Sequence, residues 1–193
     1  MRPSRGPRLR TSACTQHDEG MADDRSVGPT YNASMPDYRI RQATVSDAPV
    51  IARHRVGMFQ DMGELAVDEA AAVESASRTR LVDQLVSGEY VGWLAETGGE
   101  VVAGAGVLLH QYYPTRANPR GRPTAYILNV YTEPGHRRQG LAHQLIAEIL
   151  AWCRAHDIPR ASLHASQFGR SVYERLGFAQ TNEMRVDTRA RGA

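Results

Sequence analysis

The residues with the clearest chemical potential form a short basic turn between a strand pattern and a long helix pattern. The segment 129–142 reads NVYTEPGHRRQGLA, in which Pro and Gly interrupt an aliphatic run before the helix pattern begins. The first amides of a helix have no intrahelical carbonyl partners, and the helix dipole adds partial positive charge there. Gly140 and Ala142 are small enough to let a phosphate approach the main chain. The turn therefore predicts a pyrophosphate site built from N–H groups, although the periodicity alone fits an ordinary turn with two solvated arginines equally well.

A second segment, farther along the chain, makes the pattern more specific. Residues 166–178 read SQFGRSVYERLGF and end in Tyr-x-x-hydrophobic-Gly-Phe. The basic turn, RRQGLA over 137–142, fills the pattern Arg/Gln-x-x-Gly-x-Gly/Ala, and Pro134 stands three residues before it. In this order the two motifs resemble the GNAT superfamily of acetyl-coenzyme A-dependent N-acetyltransferases. The resemblance covers residues 38–186.

The resemblance implies where the acetyl-CoA co-substrate binds. Main-chain groups of Val130 and Thr132 are expected to pair with the pantetheine arm. The thioester carbonyl is expected near the Val130–Tyr131 main chain, where an amide can stabilise a tetrahedral oxyanion. Ser166 stands where many members carry an asparagine that contacts the pantetheine, and Gly169 replaces a usual alanine. The pyrophosphate is expected to bind the turn residues Arg137, Arg138, Gln139, Gly140, Leu141 and Ala142.

The resemblance also implies chemical roles for two side chains. Tyr173 occupies the family's general-acid position and is expected to protonate the departing thiolate. Glu133 follows the cofactor strand, where some members place a carboxylate that binds an acceptor ammonium or relays its proton through water. From the residues alone, Tyr173 also fits a packed helix tyrosine, and Glu133 also fits a solvated turn glutamate. No cysteine or serine has a convincing base partner, so we expect direct attack without a covalent enzyme intermediate.

Other chemically suggestive residues favour structural interpretations. The GAG run over 104–106 lacks the third glycine of a dinucleotide loop and lies within an apolar strand pattern, which favours a strand irregularity. The seven histidines show no His-x-x-x-His spacing, so we expect no metal. For His164 we expect a packed or hydrogen-bonded side chain. Three arginines in the acid-free stretch 101–132 fit either a solvated loop or recognition of an acidic acceptor or nucleotide phosphate: Arg116, Arg120 and Arg122.

Composition limits the function classes. The chain has 193 residues and a net charge of only +2, which argues against a dedicated nucleic-acid binder. All 23 basic residues are arginines, which excludes a P-loop lysine, a Schiff-base lysine and autoacetylation of a lysine. Cys14 and Cys153 lie far apart, and no apolar run approaches the roughly 20 residues of a membrane span. We expect a cytoplasmic protein with neither a membrane nor a nucleic-acid partner.

Hydrophobic periodicity predicts an α/β domain with the order β-α-α-β-β-β-α-β-α-β-β, and this order agrees with the GNAT fold that the resemblance implies. The helix over 140–155 is the right-handed crossover of a parallel strand pair. The fold implies a V-shaped splay between the strands 125–132 and 161–165. On that helix the predicted core positions are Leu141, Leu145, Ile146, Ile149, Trp152 and Cys153. Further strands are predicted over 38–43, 90–96, 101–110 and, as a final pair, between 177 and 186, and further helices over 48–59, 68–87 and 169–176.

The first 36 residues differ in composition from the rest. They hold four arginines in the first ten positions and almost no large aliphatic residues. Such a segment buries too little apolar surface to offset its ordering entropy. We expect either a disordered leader or a start codon assigned too far upstream, with translation beginning at Met21 or Met35. A basic arm that binds nucleic acid is the alternative.

The acetyltransferase domain is therefore expected over 37–188, with a tail over 189–193. The domain is expected to acetylate a primary amine of an acceptor that the sequence does not identify: a small amine, an antibiotic, a peptide N-terminus and a protein lysine all remain open. The acceptor pocket is expected from residues 59–65, 68–87 and 111–124. A non-catalytic acyl-CoA sensor or docking module is the competing function class, and a homodimer is compatible with the sequence.

Overall fold

The computed structural model describes residues 37–166 and 169–188, so the expected leader and tail lie outside the described residues. No helix in these ranges is long and apolar enough to cross a membrane. Two short 3₁₀ turns, Val45–Asp47 and Pro134–His136, precede the first helix and follow the fourth strand. The strands are β1 (Arg39–Gln42), β2 (Tyr90–Thr97), β3 (Glu100–His110), β4 (Thr124–Thr132) and β5 (Ala161–Leu163). The helices are α1 (Ala48–Asp61), α2 (Ala70–Ser87), α3 (Leu141–Ala155) and α4 (Arg170–Arg175).

These strands form one sheet in the order β1-β2-β3-β4-β5, antiparallel except for the parallel pair β4–β5. β2 and β3 are joined at Gly98 and Gly99, whose φ angles of 58° and 86° suit glycine in a tight hairpin. α3 makes the crossover that a parallel pair requires. The predicted mixed α/β architecture is confirmed.

Helices cover both faces of the sheet, and the alternation along β2 shows which helix covers which face. Trp93 and Ala95 pack in the core cluster that contains α3, whereas Tyr90 and Leu94 pack with α1 and α2. Since successive strand residues point to opposite faces, α3 lies on one side of the sheet and the α1–α2 pair on the other. The buried positions of α3 are those that the periodicity predicts, Leu141, Leu145, Ile146, Ile149 and Cys153, while Trp152 is only partly buried.

The sheet opens between β4 and β5. The two strands pair only over Ala125–Ile127 against Ala161–Leu163. β4 then continues to Thr132 without a strand on that side among the described residues. The expected splay is present at this place, although β5 ends two residues earlier than predicted.

The final pair of strands predicted between 177 and 186 does not form in the described part of the chain, where 179–187 is neither helix nor strand. Met184 and Val186 are 94% and 79% exposed. A strand needs an edge to pair with and an apolar face to cover, and these two side chains cover none. This part of the predicted element order is wrong for the described residues.

An ion pair joins β1 to the start of α1. The two terminal nitrogens of Arg41 donate to the Asp47 carboxylate at 2.8 Å each, and its Nε donates to Glu96 on β2. Asp47 also accepts the Thr44 main-chain N–H at 2.7 Å, as in a capping box. These contacts, chiefly the hydrogen bonds from Arg41, lower the pKa of Asp47 to about 2.

We predict that Asp47→Asn destabilises the fold in a pH-dependent way. A carboxylate whose folded pKa is about 2, against 3.8 for the ordinary group, contributes about 2 kcal/mol at pH 6. The contribution is complete above the unfolded pKa and falls to roughly half at pH 3. Urea unfolding of both proteins at pH 6 and pH 3 measures it, with the exposed Asp68→Asn as the control. An equal loss of stability at both pH values would contradict the assignment.

Candidate active site

A buried bulge in β4 sets the geometry of the site. The register between β3 and β4 shifts between Gly104 and Gly106, and opposite this point Asn129 has a left-handed φ of 54°. Arg55 Nη1 donates to Asn129 Oδ1 at 2.7 Å, and Asn129 Nδ2 lies 3.4 Å from the Tyr90 hydroxyl. At Gly106 a Cβ atom would lie 2.2 Å from that hydroxyl, so only glycine fits. The strand irregularity predicted at 104–106 is confirmed.

The bulge reverses which face of the sheet each β4 side chain meets. Before it, Ile127 packs with the α3 cluster and Leu128 with the α1–α2 cluster. After it, Val130 packs with the α3 cluster, and Tyr131 contacts α1, where its ring lies 5.1 Å from the His54 ring. A one-residue insertion has this effect because side chains alternate with a period of two.

The main chain of β4 changes direction in the same way. The Glu133 N–H donates to the Val102 carbonyl of β3 at 2.9 Å. Alternation then directs the main-chain groups of Val130 and Thr132 to the opposite side, where β5 has ended. These are the two residues for which the family resemblance implies main-chain pairing with the pantetheine arm.

The turn after β4 presents a row of unpaired amides. Within α3 and its flanks, the first main-chain bond is from the Gln144 N–H to the Gly140 carbonyl at 3.1 Å. Among the described residues, no acceptor is found for the amides of residues 138–143. Arg138 and Gly140 have φ angles of 63° and 79°, and a Cβ built at Gly140 would meet nothing within 4 Å. The row of amides, the helix dipole and the open space fit a pyrophosphate.

The other turn residues divide between surface and core. Arg138, Gln139 and Gly140 are exposed and Ala142 is partly buried. Leu141 is buried in the α3 core and anchors the start of the helix. The turn therefore exposes its main chain to solvent, while Leu141 fixes the first residue of α3 in the core.

The Arg137 side chain is engaged within the protein. Its Nε donates to the Thr132 carbonyl at 2.9 Å, and its Nη2 donates to Asp61 at the end of α1. The guanidinium also lies 5.7 Å from the centre of the Tyr131 ring. The Arg137 N–H also donates to the Pro134 carbonyl at 3.4 Å, so the free amides of the turn begin at Arg138, while the Arg137 guanidinium fixes the turn to α1.

Tyr173 lies on α4 in the α3 core cluster. Its ring packs edge-on against Phe178 at 5.9 Å, and burial raises the pKa of its hydroxyl. Among residues 37–166 and 169–188, no hydrogen bond to this hydroxyl is formed. Ser166 precedes α4 in the chain, and its Oγ accepts the Gly169 N–H at 3.2 Å.

Glu133 lies at the end of β4 beside a buried histidine of α1. Its side chain is partly buried, and Oε1 lies 3.4 Å from His54 Nε2. Both ring nitrogens of His54 are buried without a hydrogen-bond partner in the described residues. A buried polar group without a hydrogen bond lowers the stability of the fold by about 1–3 kcal/mol. The unbonded His54 ring beside Glu133 is therefore an unusual feature of the site.

The predictions from sequence missed four residues that shape the site: Arg55, Asn129, Asp61 and His54. Asn129 carried a usable signal, because asparagine is rare in aliphatic strands and tolerates a left-handed φ. The other three follow helix patterns that carry no mark of their role.

The remaining candidates lie outside these contacts. The Tyr126 hydroxyl and Arg185 Nη2 lie 3.4 and 3.0 Å from ring nitrogens of His164, so the expected hydrogen-bonded histidine is confirmed. Arg122 pairs with Asp157 at 2.6 Å, while Arg116 and Arg120 are exposed. In the described ranges, no group of three or more His, Cys, Asp or Glu side chains is placed to hold a metal ion.

Sequence comparison relates the chain to acetyltransferases. Residues 59–178 match the model of the acetyltransferase (GNAT) family. N-acetyltransferase 8 of Rattus norvegicus is 29% identical over 98 residues, which are 49% of this chain and 42% of that protein. The probable N-acetyltransferase family 8 member 5 of Mus musculus is 30% identical over 94 residues, 47% of this chain and 39% of that protein. The matches thus span about two fifths of the length of these curated relatives.

Two solved structures resemble the whole described domain. A GCN5-related N-acetyltransferase from Ralstonia eutropha JMP134 superposes with a TM-score of 0.73 at 31% identity, over 80% of this chain and 100% of that one. A predicted acetyltransferase from Clostridium acetobutylicum, crystallised with acetyl-CoA, gives a TM-score of 0.73 at 26% identity, over 81% and 100% of the two chains.

We predict that Gly140→Asp lowers the affinity for coenzyme A by about 100-fold or more. The new carboxylate repels a pyrophosphate and fills the space beside the free amides, removing charge-assisted hydrogen bonds. Calorimetric titration with coenzyme A measures the loss. Gly88→Asp is the matched control, because Gly88 has a φ of 74° and similar open space at the end of α2. Equal affinities for the two folded variants would refute the phosphate assignment.

Proposed function

Because this chain belongs to the acetyltransferase (GNAT) family, we propose that it transfers an acetyl group from acetyl-CoA to a primary amine by direct attack. The row of free amides at the start of α3, next to the unpaired side of β4, carries the proposal. A pyrophosphate joined to an extended pantetheine arm needs these two features side by side. The acetyl-CoA in the Clostridium acetobutylicum relative favours the same donor here.

In this proposal the donor is held mainly by main-chain groups. The amides of the turn, with Gly140 at its centre, bind the pyrophosphate, and Val130 and Thr132 pair with the pantetheine amides. The Thr132 carbonyl already accepts one hydrogen bond from Arg137, which leaves its second lone pair for a ligand. The thioester carbonyl then lies near the Val130–Tyr131 main chain, where an amide stabilises the oxyanion.

The proposed reaction is an addition followed by an elimination. The neutral amine nitrogen attacks the thioester carbon, the C–N bond forms, and the carbonyl electron pair moves to oxygen. The oxyanion collapses, the C–S bond breaks, and the electron pair leaves with sulfur. Of the two protons that an ammonium acceptor loses, one ends on the thiol and one in solvent.

Two side chains handle these protons. Tyr173 protonates the departing thiolate and regains its proton from solvent, and the raised pKa of its hydroxyl keeps that proton in place at neutral pH. Glu133 accepts a proton from the acceptor ammonium. Because the sheet is open beyond Ile127, groups on its two faces can meet one ligand at the same edge.

We expect the full chain to release free thiol from acetyl-CoA only when an acceptor amine is added. The test is a panel of small amines, aminoglycosides and peptides, read by thiol release and by mass spectrometry of the N-acetylated product. Gly140→Asp serves as the inactive control. Tight binding of acetyl-CoA with no acetylated amine anywhere in the panel would overturn the proposal in favour of an acyl-CoA sensor.

We predict that Tyr173→Phe lowers kcat by about 100-fold, the lower end of the range for a general acid, because a thiolate is a tolerable leaving group. Phenylalanine keeps the ring that packs against Phe178, so acetyl-CoA affinity and Tm stay close to wild type. Steady-state kinetics with separately measured affinity provides the test. A donor with a more acidic thiol should reduce the defect, because its thiolate needs less protonation. A kcat within about twofold of wild type, with chemistry limiting turnover, would make Tyr173 a packing residue.

A further inference from the structure

The buried histidine of α1 is the feature that the proposed chemistry has not used. His54 is 2% exposed, and neither of its ring nitrogens has a hydrogen-bond partner in the part of the chain that the structure describes. Buried polar side chains are normally paired, so an unpaired one in a native fold calls for an explanation.

The surroundings of the ring give its two nitrogens different environments. Nε2 lies 3.4 Å from Oε1 of Glu133. Nδ1 faces β3, where a Cβ built on Gly104 would lie 3.4 Å from it. The Tyr131 ring lies 5.1 Å away at an interplanar angle of 45° and covers one side of the imidazole. The ring is therefore held between α1 and the sheet, with Nε2 close to the carboxylate but not yet hydrogen-bonded to it.

The contact is not that of a charged pair. Burial, together with the charge of Arg53, lowers the pKa of His54 to about 4, so the imidazole is neutral near pH 7. A neutral imidazole carries one N–H, and the other nitrogen is an acceptor. A carboxylate only accepts, so the tautomer with hydrogen on Nε2 is the one that suits Glu133.

We propose that His54 is a positioning residue whose neutral Nε2–H donates to Oε1 of Glu133 and orients this carboxylate toward the acceptor amine. The inference rests on the proposed role of Glu133 as proton acceptor. A carboxylate with one oxygen held by the histidine keeps its second oxygen for the substrate. Hydrogen bonds of catalytic groups are often long in the free enzyme and shorten in the complex, which fits the separation of 3.4 Å.

Two substitutions separate this role from packing. In His54→Gln the amide nitrogen stands the same number of bonds from Cβ as Nε2, whereas in His54→Asn the amide nitrogen corresponds to Nδ1. We expect His54→Asn to lower kcat about tenfold, because a misplacement of about 1 Å can cost up to about 100-fold. We expect His54→Gln to keep most of the wild-type kcat. The KM for acetyl-CoA should stay within about twofold in both variants.

The Glu133→Gln background tests whether the two residues act together. If His54 acts through Glu133, adding His54→Asn to Glu133→Gln lowers kcat no further, because the interaction is already lost. Independent, multiplicative losses would overturn the proposal. Unimpaired Glu133→Gln would instead refute the role proposed for Glu133, so the two failures are distinguishable.

A measurement on the wild-type protein does not depend on whether any variant folds. Long-range ¹H–¹⁵N correlation spectra of histidine-labelled full chain report which ring nitrogen carries the proton. We expect the Nε2–H tautomer for His54, unchanged from pH 6 to pH 8. An Nδ1–H tautomer, or equal kcat values for His54→Gln and His54→Asn, would overturn the assignment.

Discussion

The left-handed bulge at Asn129 is the constraint on which the rest of the site depends. Arg55 and Tyr90 contact the Asn129 side chain, and Gly106 on the neighbouring strand leaves space for the Tyr90 hydroxyl. Before the bulge, odd-numbered side chains of β4 face α3. After it, odd-numbered side chains face α1, which brings Tyr131 and Glu133 to His54. The same shift leaves the main chain of Val130 and Thr132 on the unpaired side of the strand. One inserted residue thus places the unpaired main chain of Val130 and Thr132 and the Glu133 carboxylate together.

This dependence explains what could and could not be predicted from the sequence. The periodicity of α3, the Gly98-Gly99 hairpin and the parallel crossover are local or nearly local properties, and the structure contains all three. The pair of His54 and Glu133 is not local. Strict alternation along β4 would place Glu133 on the face of the sheet that α3 covers. The strand pattern alone therefore does not predict that Glu133 contacts His54 on α1. Asn129 is the only mark of the bulge in the strand sequence, and its burial beside Arg55 depends on tertiary contacts.

The missing final strands have a related cause. The pattern around Met184 and Val186 alternates as a strand does, but alternation specifies only which side chains share a face. Formation also needs a sheet edge with unpaired main-chain groups within reach and a face to bury. β5 has only three residues, and the nearby segment contributes exposed polar contacts such as Arg185 with His164. For β2, β3 and β4, an alternating sequence coincides with a neighbouring strand to pair with and a face to bury. For residues 179–187 it does not.

The arginine side chains then connect the two sides of the site. A planar guanidinium presents several N–H groups in fixed directions, so one side chain can hold separate elements at once. Arg137 bonds the Thr132 carbonyl at the end of β4 and Asp61 at the end of α1, and it lies against the Tyr131 ring. Arg55, one turn and a half earlier on the same helix, bonds the bulge. α1 is therefore fixed to β4 both at the bulge and at the turn that leads to the free amides. His54 is the residue next to Arg55 on α1, so the attachment of Arg55 to the bulge also sets the distance from His54 to Glu133. A change at that attachment should therefore alter both the course of β4 and the position of His54.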